Sequence, residues 1–109
     1  MQKVRKVAVF NSGAFRLKFR VKVVESGKAS DWSDTFPISK HESIRLDRLD
    51  VPAGTQLRVE IDVTPINEGG GGTSRADGAD IVEYDPTSEC VATFYAVGTL
   101  ANREVRLID

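Results

Sequence analysis

Two stretches of this chain alternate apolar and charged side chains with a period of two, and that alternation constrains the fold more than any other feature. Phe15, Leu17, Phe19, Val21 and Val23 are interleaved with Arg16, Lys18, Arg20 and Lys22. Leu57, Val59, Ile61 and Val63 are interleaved in the same way with Arg58, Glu60, Asp62 and Thr64. Successive side chains of a β-strand point to opposite faces of its sheet, so each stretch reads as a half-buried strand with one dry and one wet face.

Further strands are predicted at Val4 to Phe10, Ser30 to Phe36, Ser43 to Leu49, Asp80 to Tyr84, Cys90 to Val97 and Arg103 to Ile108, on their β-branched and aromatic content. Breakers separate them. Asn11-Ser12-Gly13 reads as a tight hairpin turn between the first two strands, and Ser26-Gly27, Pro52-Ala53-Gly54 and Asp85-Pro86 as further turns. About eight short strands with no helical periodicity predict an all-β fold, an antiparallel two-sheet β-sandwich, with a small closed β-barrel as the alternative. The chain of 109 residues reads as one domain, interrupted by a flexible Gly-rich loop at 67–79 that contains Gly69 to Gly72.

Charge narrows the partners. Fifteen Lys and Arg against sixteen Asp and Glu give a net charge of -1, so no global attraction draws the chain to nucleic acid. Cys90 is the only cysteine, which excludes a disulfide-stapled scaffold. The apolar run after the basic N-terminus, Val7 to Phe10, is too short for a signal-peptide core, and no stretch reaches the length of a membrane helix. A cytoplasmic location is the expectation, or a module cut from a longer precursor.

Several groups are candidates for function. Arg16, Lys18, Arg20 and Lys22 form a basic stripe on one face of their strand; it either meets an anionic partner or pairs with Glu60 and Asp62 across the sheet, and the paired reading is preferred. Trp32 stands among Ser30, Asp31, Ser33 and Asp34, where it is either a sugar-stacking platform or, the preferred reading, a ring closing one end of the core. Asp77, Asp80, Glu83 and Asp85 follow the glycines, but their spacing is not that of a calcium loop, and they read as a solvated acidic rim.

Catalytic and metal chemistry find little footing. His41 is the sole histidine, and Ser43 beside it has neither a nucleophile elbow nor an evident oxyanion hole. One His and one Cys cannot complete a structural zinc site unaided, and the glycine run lacks the Lys-Ser/Thr of a phosphate loop. Cys90 reads as a small buried hydrophobe opening a strand. No cofactor or metal is implied.

These features point to a non-enzymatic binding module for a carbohydrate or a protein. Its tentative ligand-binding residues are Trp32, Asp31, Asp34, Arg75, Asp77 and Asp80. Two alternatives stand beside it. A membrane-active or pore-forming component would use the alternating strand as a barrel-lining hairpin. A structural protein would form homo-oligomers through edge strands.

Overall fold

The two alternating stretches become neighbouring strands of one sheet. Leu17 lies opposite Val63, Phe19 opposite Ile61 and Val21 opposite Val59 in an antiparallel ladder, and these apolar side chains are wholly buried. The computed structural model describes residues 1–66 and 74–108. Among these residues lie eight strands: β1 (Lys3–Val4), β2 (Lys6–Asn11), β3 (Arg16–Val23), β4 (His41–Arg45), β5 (Gln56–Thr64), β6 (Ser74–Tyr84), β7 (Val91–Gly98) and β8 (Arg103–Leu107). A single 3-10 turn, Leu46–Leu49, follows β4.

The strands form two four-stranded sheets, ordered β1-β6-β5-β3 and β4-β2-β7-β8, and not a closed barrel. The inner faces share one core that includes Phe15, Phe19 and Phe94 together with Leu57, Ile61 and Val9. Each sheet is mixed rather than purely antiparallel. The expected strand at Val4 to Phe10 is broken at Arg5, where the chain steps from one sheet to the other. As a result β1 runs parallel to β6, and β2 runs parallel to β7. The connection from β6 to β7 makes the same crossing, so both N-terminal strands lie beside a pair that travels the same way.

Asn11-Ser12-Gly13 is not a hairpin. The strands it joins, β2 and β3, belong to different sheets, and Gly13 does not have positive φ. What Gly13 provides is space, because a Cβ there would run into the Phe15 ring. Asn11 holds the crossing together from inside the core. Its side-chain amide donates to the carbonyl oxygens of Phe15 at 2.7 Å and Phe36 at 3.3 Å, and its Oδ1 accepts the Gly13 N–H at 3.0 Å.

Three other expectations change. Ser43 to Leu49 divides into the end of β4 and the 3-10 turn, whose Leu46 and Leu49 are buried. Ser30 to Phe36 is no strand but a strap along the free edge of β3. Of the loop expected at 67–79, residues 74–79 belong to β6, and 67–73 lie outside the described residues. Ser74 to Ala79 has weak strand propensity, but its ladder with β5, running from Val63↔Ser74 to Glu60↔Asp77, overrides that preference.

Gly98 ends β7 at φ 101, a left-handed backbone that L side chains rarely adopt, and a Cβ there would collide with the Asn102 carbonyl oxygen. Gly98→Ala is therefore expected to lower stability by about 1–3 kcal/mol, read as a shift in the urea midpoint at unchanged slope.

Candidate functional site

The outer face of the β3–β5–β6 sheet is a charged lattice, laid out by register. Lys18, Asp62 and Arg75 fall in one row, and Arg20, Glu60 and Asp77 in the next. Glu60 is buried and accepts from Arg20 Nε at 2.6 Å and from Lys22 Nζ at 3.3 Å, while Lys22 also meets Asp77 at 2.8 Å. Asp62 is only 3% exposed, with Arg75 Nε 4.0 Å away. Arg20 and Lys22 of the basic stripe are thus engaged with acids of their own sheet, as opposite charges on facing strands favour.

The hydrogen bond from Lys22 to Asp77, and then that to Glu60, holds the Lys22 ammonium above the ordinary lysine value against the opposing effect of burial. A raised value means that this contribution to stability is complete at neutral pH. It is lost only as the pH climbs through the raised lysine value.

Trp32 does not enter the core. The reason lies in the strap that carries it. Ser33 accepts the Phe19 N–H through its hydroxyl at 3.0 Å and donates its own N–H to the Phe19 carbonyl at 2.8 Å, and Ser30 does the same for Val21. Lys28 and Phe36 complete the edge by accepting from Val23 and Leu17. With Ser30 and Ser33 turned onto the edge of β3, the half-buried indole lies over the charged lattice. Its ring centroid is 4.4 Å from the Arg20 guanidinium, 5.1 Å from Lys18 Nζ and 5.3 Å from the Arg75 guanidinium. Cations in such positions are attracted to the ring quadrupole. Lys18 and Arg75 flank Asp62 in the ladder, so the ring and its cations roof that carboxylate.

The six residues singled out from sequence separate into three places. Trp32 and Arg75 meet over the lattice, and Asp77 joins it through Lys22. Asp31 lies beside Trp32, and Asp34 is exposed farther along the strap. Asp80 is elsewhere. A register shift between Arg58 and Glu60 leaves Asp80 off the ladder, and its Oδ2 accepts the Leu107 N–H of β8 at 2.9 Å. The acidic rim is likewise dispersed: Thr87, by its hydroxyl and its N–H, holds the Asp85 carboxyl below the ordinary carboxylate range. Among the described residues no three His, Cys, Asp or Glu side chains come together as a metal site requires. Cys90 is exposed rather than buried: it precedes β7, whose first residue, Val91, is exposed as well, and the core begins only at Ala92.

A concave site is assembled from residues far apart in sequence, none of which stands out locally as part of one. A cleft of about 400 Å³ lies between the strap and β4, walled by Asp31, Trp32 and Ser33 on one side and by Ser43, Ile44 and Arg45 on the other, with Lys6 and Arg48 at its rim. A second cleft of about 500 Å³ shares Lys6 and Arg45 with it and adds Arg5, Asp47 and Tyr84. The two clefts adjoin at Lys6 and Arg45, and Arg5 and Arg48 bring the cations along this hollow to four. Arg45 is paired with Asp47 at 2.8 Å, whereas Arg5, Lys6 and Arg48 make no ion pair among the described residues. The basic Lys3-Val4-Arg5-Lys6 and the Arg45/Arg48 pair are visible in sequence, but only the β2–β4 ladder, with Lys6 opposite Arg45, brings them together. A further cleft of about 500 Å³, between Val24 and Val51, carries Glu25 and Lys28, charges of opposite sign.

His41 opens β4, with Ser43 two residues along the same strand, and both are exposed. Among the described residues no helix is long and apolar enough to cross a membrane. Comparison with protein-family models, with curated proteins and with solved structures finds no match to this chain.

Proposed function

We propose that this chain is a non-enzymatic binding module, and that its ligand is an acidic segment of a protein held in the basic hollow beside β4. The observation that carries this reading is the convergence of Arg5, Lys6, Arg45 and Arg48 on a concave surface, in a chain whose overall charge is -1. On β3, Arg20 and Lys22 are held by neighbouring carboxylates, and Lys18 and Arg20 lie against Trp32. The hollow gathers cationic charge in a concave place, and a concave site with a few convergent polar groups is where binding is expected.

A carbohydrate is the second reading, supported by Trp32 and Asp31 in the cleft wall. It is weaker because the indole is already in contact with Arg20, which a stacking sugar would have to share. The engagement of the β3 charges with β5 supports a binding module over a pore-lining hairpin. The hollow, rather than a broad apolar face, supports it over a purely structural role.

The test is titration of the full chain with a Glu-rich peptide and, in parallel, with neutral oligosaccharides. The peptide is expected to bind with an affinity that falls as salt rises, since exposed charges interact across a Debye length of about 8 Å at physiological ionic strength. Arg48→Glu combined with Lys6→Glu is expected to weaken it about tenfold or more, each tenfold being about 1.4 kcal/mol. Equal affinity for the wild type and the double variant would remove the hollow as the site.

A further inference from the structure

The two sheets have four free edges, and they are not treated alike. On β3 the strap accepts the N–H groups of Leu17, Phe19, Val21 and Val23. β1 is only two residues long. On β8 the Asp80 carboxylate takes the Leu107 N–H. Along β4, by contrast, the backbone is open. Its parity follows from the bonds at the two ends of its ladder with β2: Asn11 donates to the Lys40 carbonyl at 2.9 Å, and Leu46 donates to the Arg5 carbonyl at 3.0 Å. Hydrogen-bonded pairs in an antiparallel ladder recur every second residue. Glu42 and Ile44 therefore bond inward to Val9 and Val7, their partners in the register. His41 and Ser43 turn their N–H and C=O groups outward, as Arg45 does its N–H, and among the described residues these groups have no protein partner. The Arg45 carbonyl already accepts from the 3-10 turn that Arg45 caps.

We infer that β4 accepts an extended acidic peptide as an added antiparallel strand, with its carboxylates opposite Arg45, Ser43 and His41. The inference rests on the acidic-ligand reading of the hollow and names the way the ligand lies in it. Open edges capture strands through main-chain bonds, and side-chain pairing selects the partner. A residue of the added strand opposite Arg45 projects to the same face as Arg45 and, one strand further, Lys6. A carboxylate there meets two cations, with Arg48 close by at the rim of the cleft. A second copy of this chain fits less well. Antiparallel self-pairing about Ser43 would bring each Arg45 to the His41 end of its mate, next to Lys40, which sets like charges together.

The experiment uses the isotope-labelled full chain and a capped ten-residue peptide of alternating Thr and Glu. Two further peptides carry the same charge, one N-methylated on every Glu and one on every Thr. In the proposed register the Glu N–H groups bond to β4 and the Thr N–H groups face away. The parent and the Thr-methylated peptides are expected to bind alike and to slow exchange of the His41, Ser43 and Arg45 amides. The Glu-methylated peptide is expected to lose about tenfold or more in affinity.

Ser43→Pro provides the protein-side control. It removes an outward N–H from an edge strand, where proline is tolerated, so it is expected to keep the cooperative unfolding transition and lose peptide binding. If both methylated peptides bind as the parent does, strand addition is overturned while the acidic-ligand reading survives. If no Glu-containing peptide binds, both fail. Should the chain sediment as a dimer without peptide, with the same three amides protected, the edge belongs to a second copy and the inference is overturned.

Discussion

Replacing Phe19 by alanine is expected to lower the unfolding free energy by about 3–5 kcal/mol, the range for deleting a wholly buried aromatic ring and leaving part of its cavity unfilled. Phe19 is fully buried, stands opposite Ile61 in the β3–β5 ladder, and belongs to the core shared by both sheets. The surroundings have little freedom to close the gap. β3 is held on one side by β5 and on the other by the strap, so its backbone cannot drift inward without breaking a ladder. Domains of this size are stable by only about 5–15 kcal/mol, so the loss is a large fraction of the total. At about 4 °C per kcal/mol the melting temperature should fall by about 12–20 °C. A drop of only a few degrees would mean that the two sheets do not share a close-packed interior. Lys18→Ala on the same strand, which leaves the core alone, should shift the transition far less.

Asn11→Ala is the second large effect, and it works by a different mechanism. The Asn11 side chain is wholly buried and makes three hydrogen bonds, two to the carbonyls of Phe15 and Phe36 and one from the Gly13 N–H. Alanine would strip this partner from the Phe15 carbonyl and the Gly13 N–H in a place that excludes water, while the Phe36 carbonyl keeps the Leu17 N–H. Each buried group left unsatisfied costs about 1–3 kcal/mol, and with partial relaxation the total is expected to be about 2–4 kcal/mol. Because the side chain ties the β2–β3 crossing to the end of the strap, exchange of the Gly13 and Phe36 amides should accelerate beyond what the global loss requires. A uniform change across all amides would show that Asn11 contributes only to overall stability and not to that junction. Asn11→Asp retains the acceptor for Gly13 but sets a carboxylate oxygen against a carbonyl, and it should be no better than alanine at neutral pH.

The binding variants complete the picture from the opposite direction. Arg48 is exposed, Lys6 is half-buried on the outer face of β2, and neither makes an ion pair among the described residues. Their reversal to Glu should therefore alter ligand affinity and shift the melting temperature only slightly, since charges in contact with solvent contribute little to folding. The stability variants and the binding variants thus separate residues that build the sandwich from residues that face a ligand.

Much of the sandwich was legible in the sequence, and the site was not. Phe15 to Val23 and Leu57 to Val63 announce their buried face through the period of their side chains, a local property that no later packing reverses. Trp32 shows the limit of that reasoning. Polar neighbours and a large ring are compatible with a core position, and what excludes it is the use of the Ser30 and Ser33 hydroxyls to cap the edge of β3. Cys90 and Ser74 to Ala79 depart from their local pattern for a related reason: whether a residue at a strand's end joins it depends on the ladder offered to it. The acidic residues after the glycines looked like one cluster because they are close in sequence, yet in β6 alternate residues point apart, and the register shift sends Asp80 to β8.

Alternation of apolar and charged residues by itself determined that the chain is built of strands, that their charged faces lie outside, and that one dry interior unites them. This information survives in a linear string because side-chain direction in a strand repeats every two residues. Which strands share a sheet, where the chain crosses between sheets, which edge is capped and which left open, and the meeting of Lys6 with Arg45 and Arg48 were decided only by tertiary structure. Those features depend on pairings between segments tens of residues apart, and a hydrogen-bonded ladder will accept many sequences as its partner.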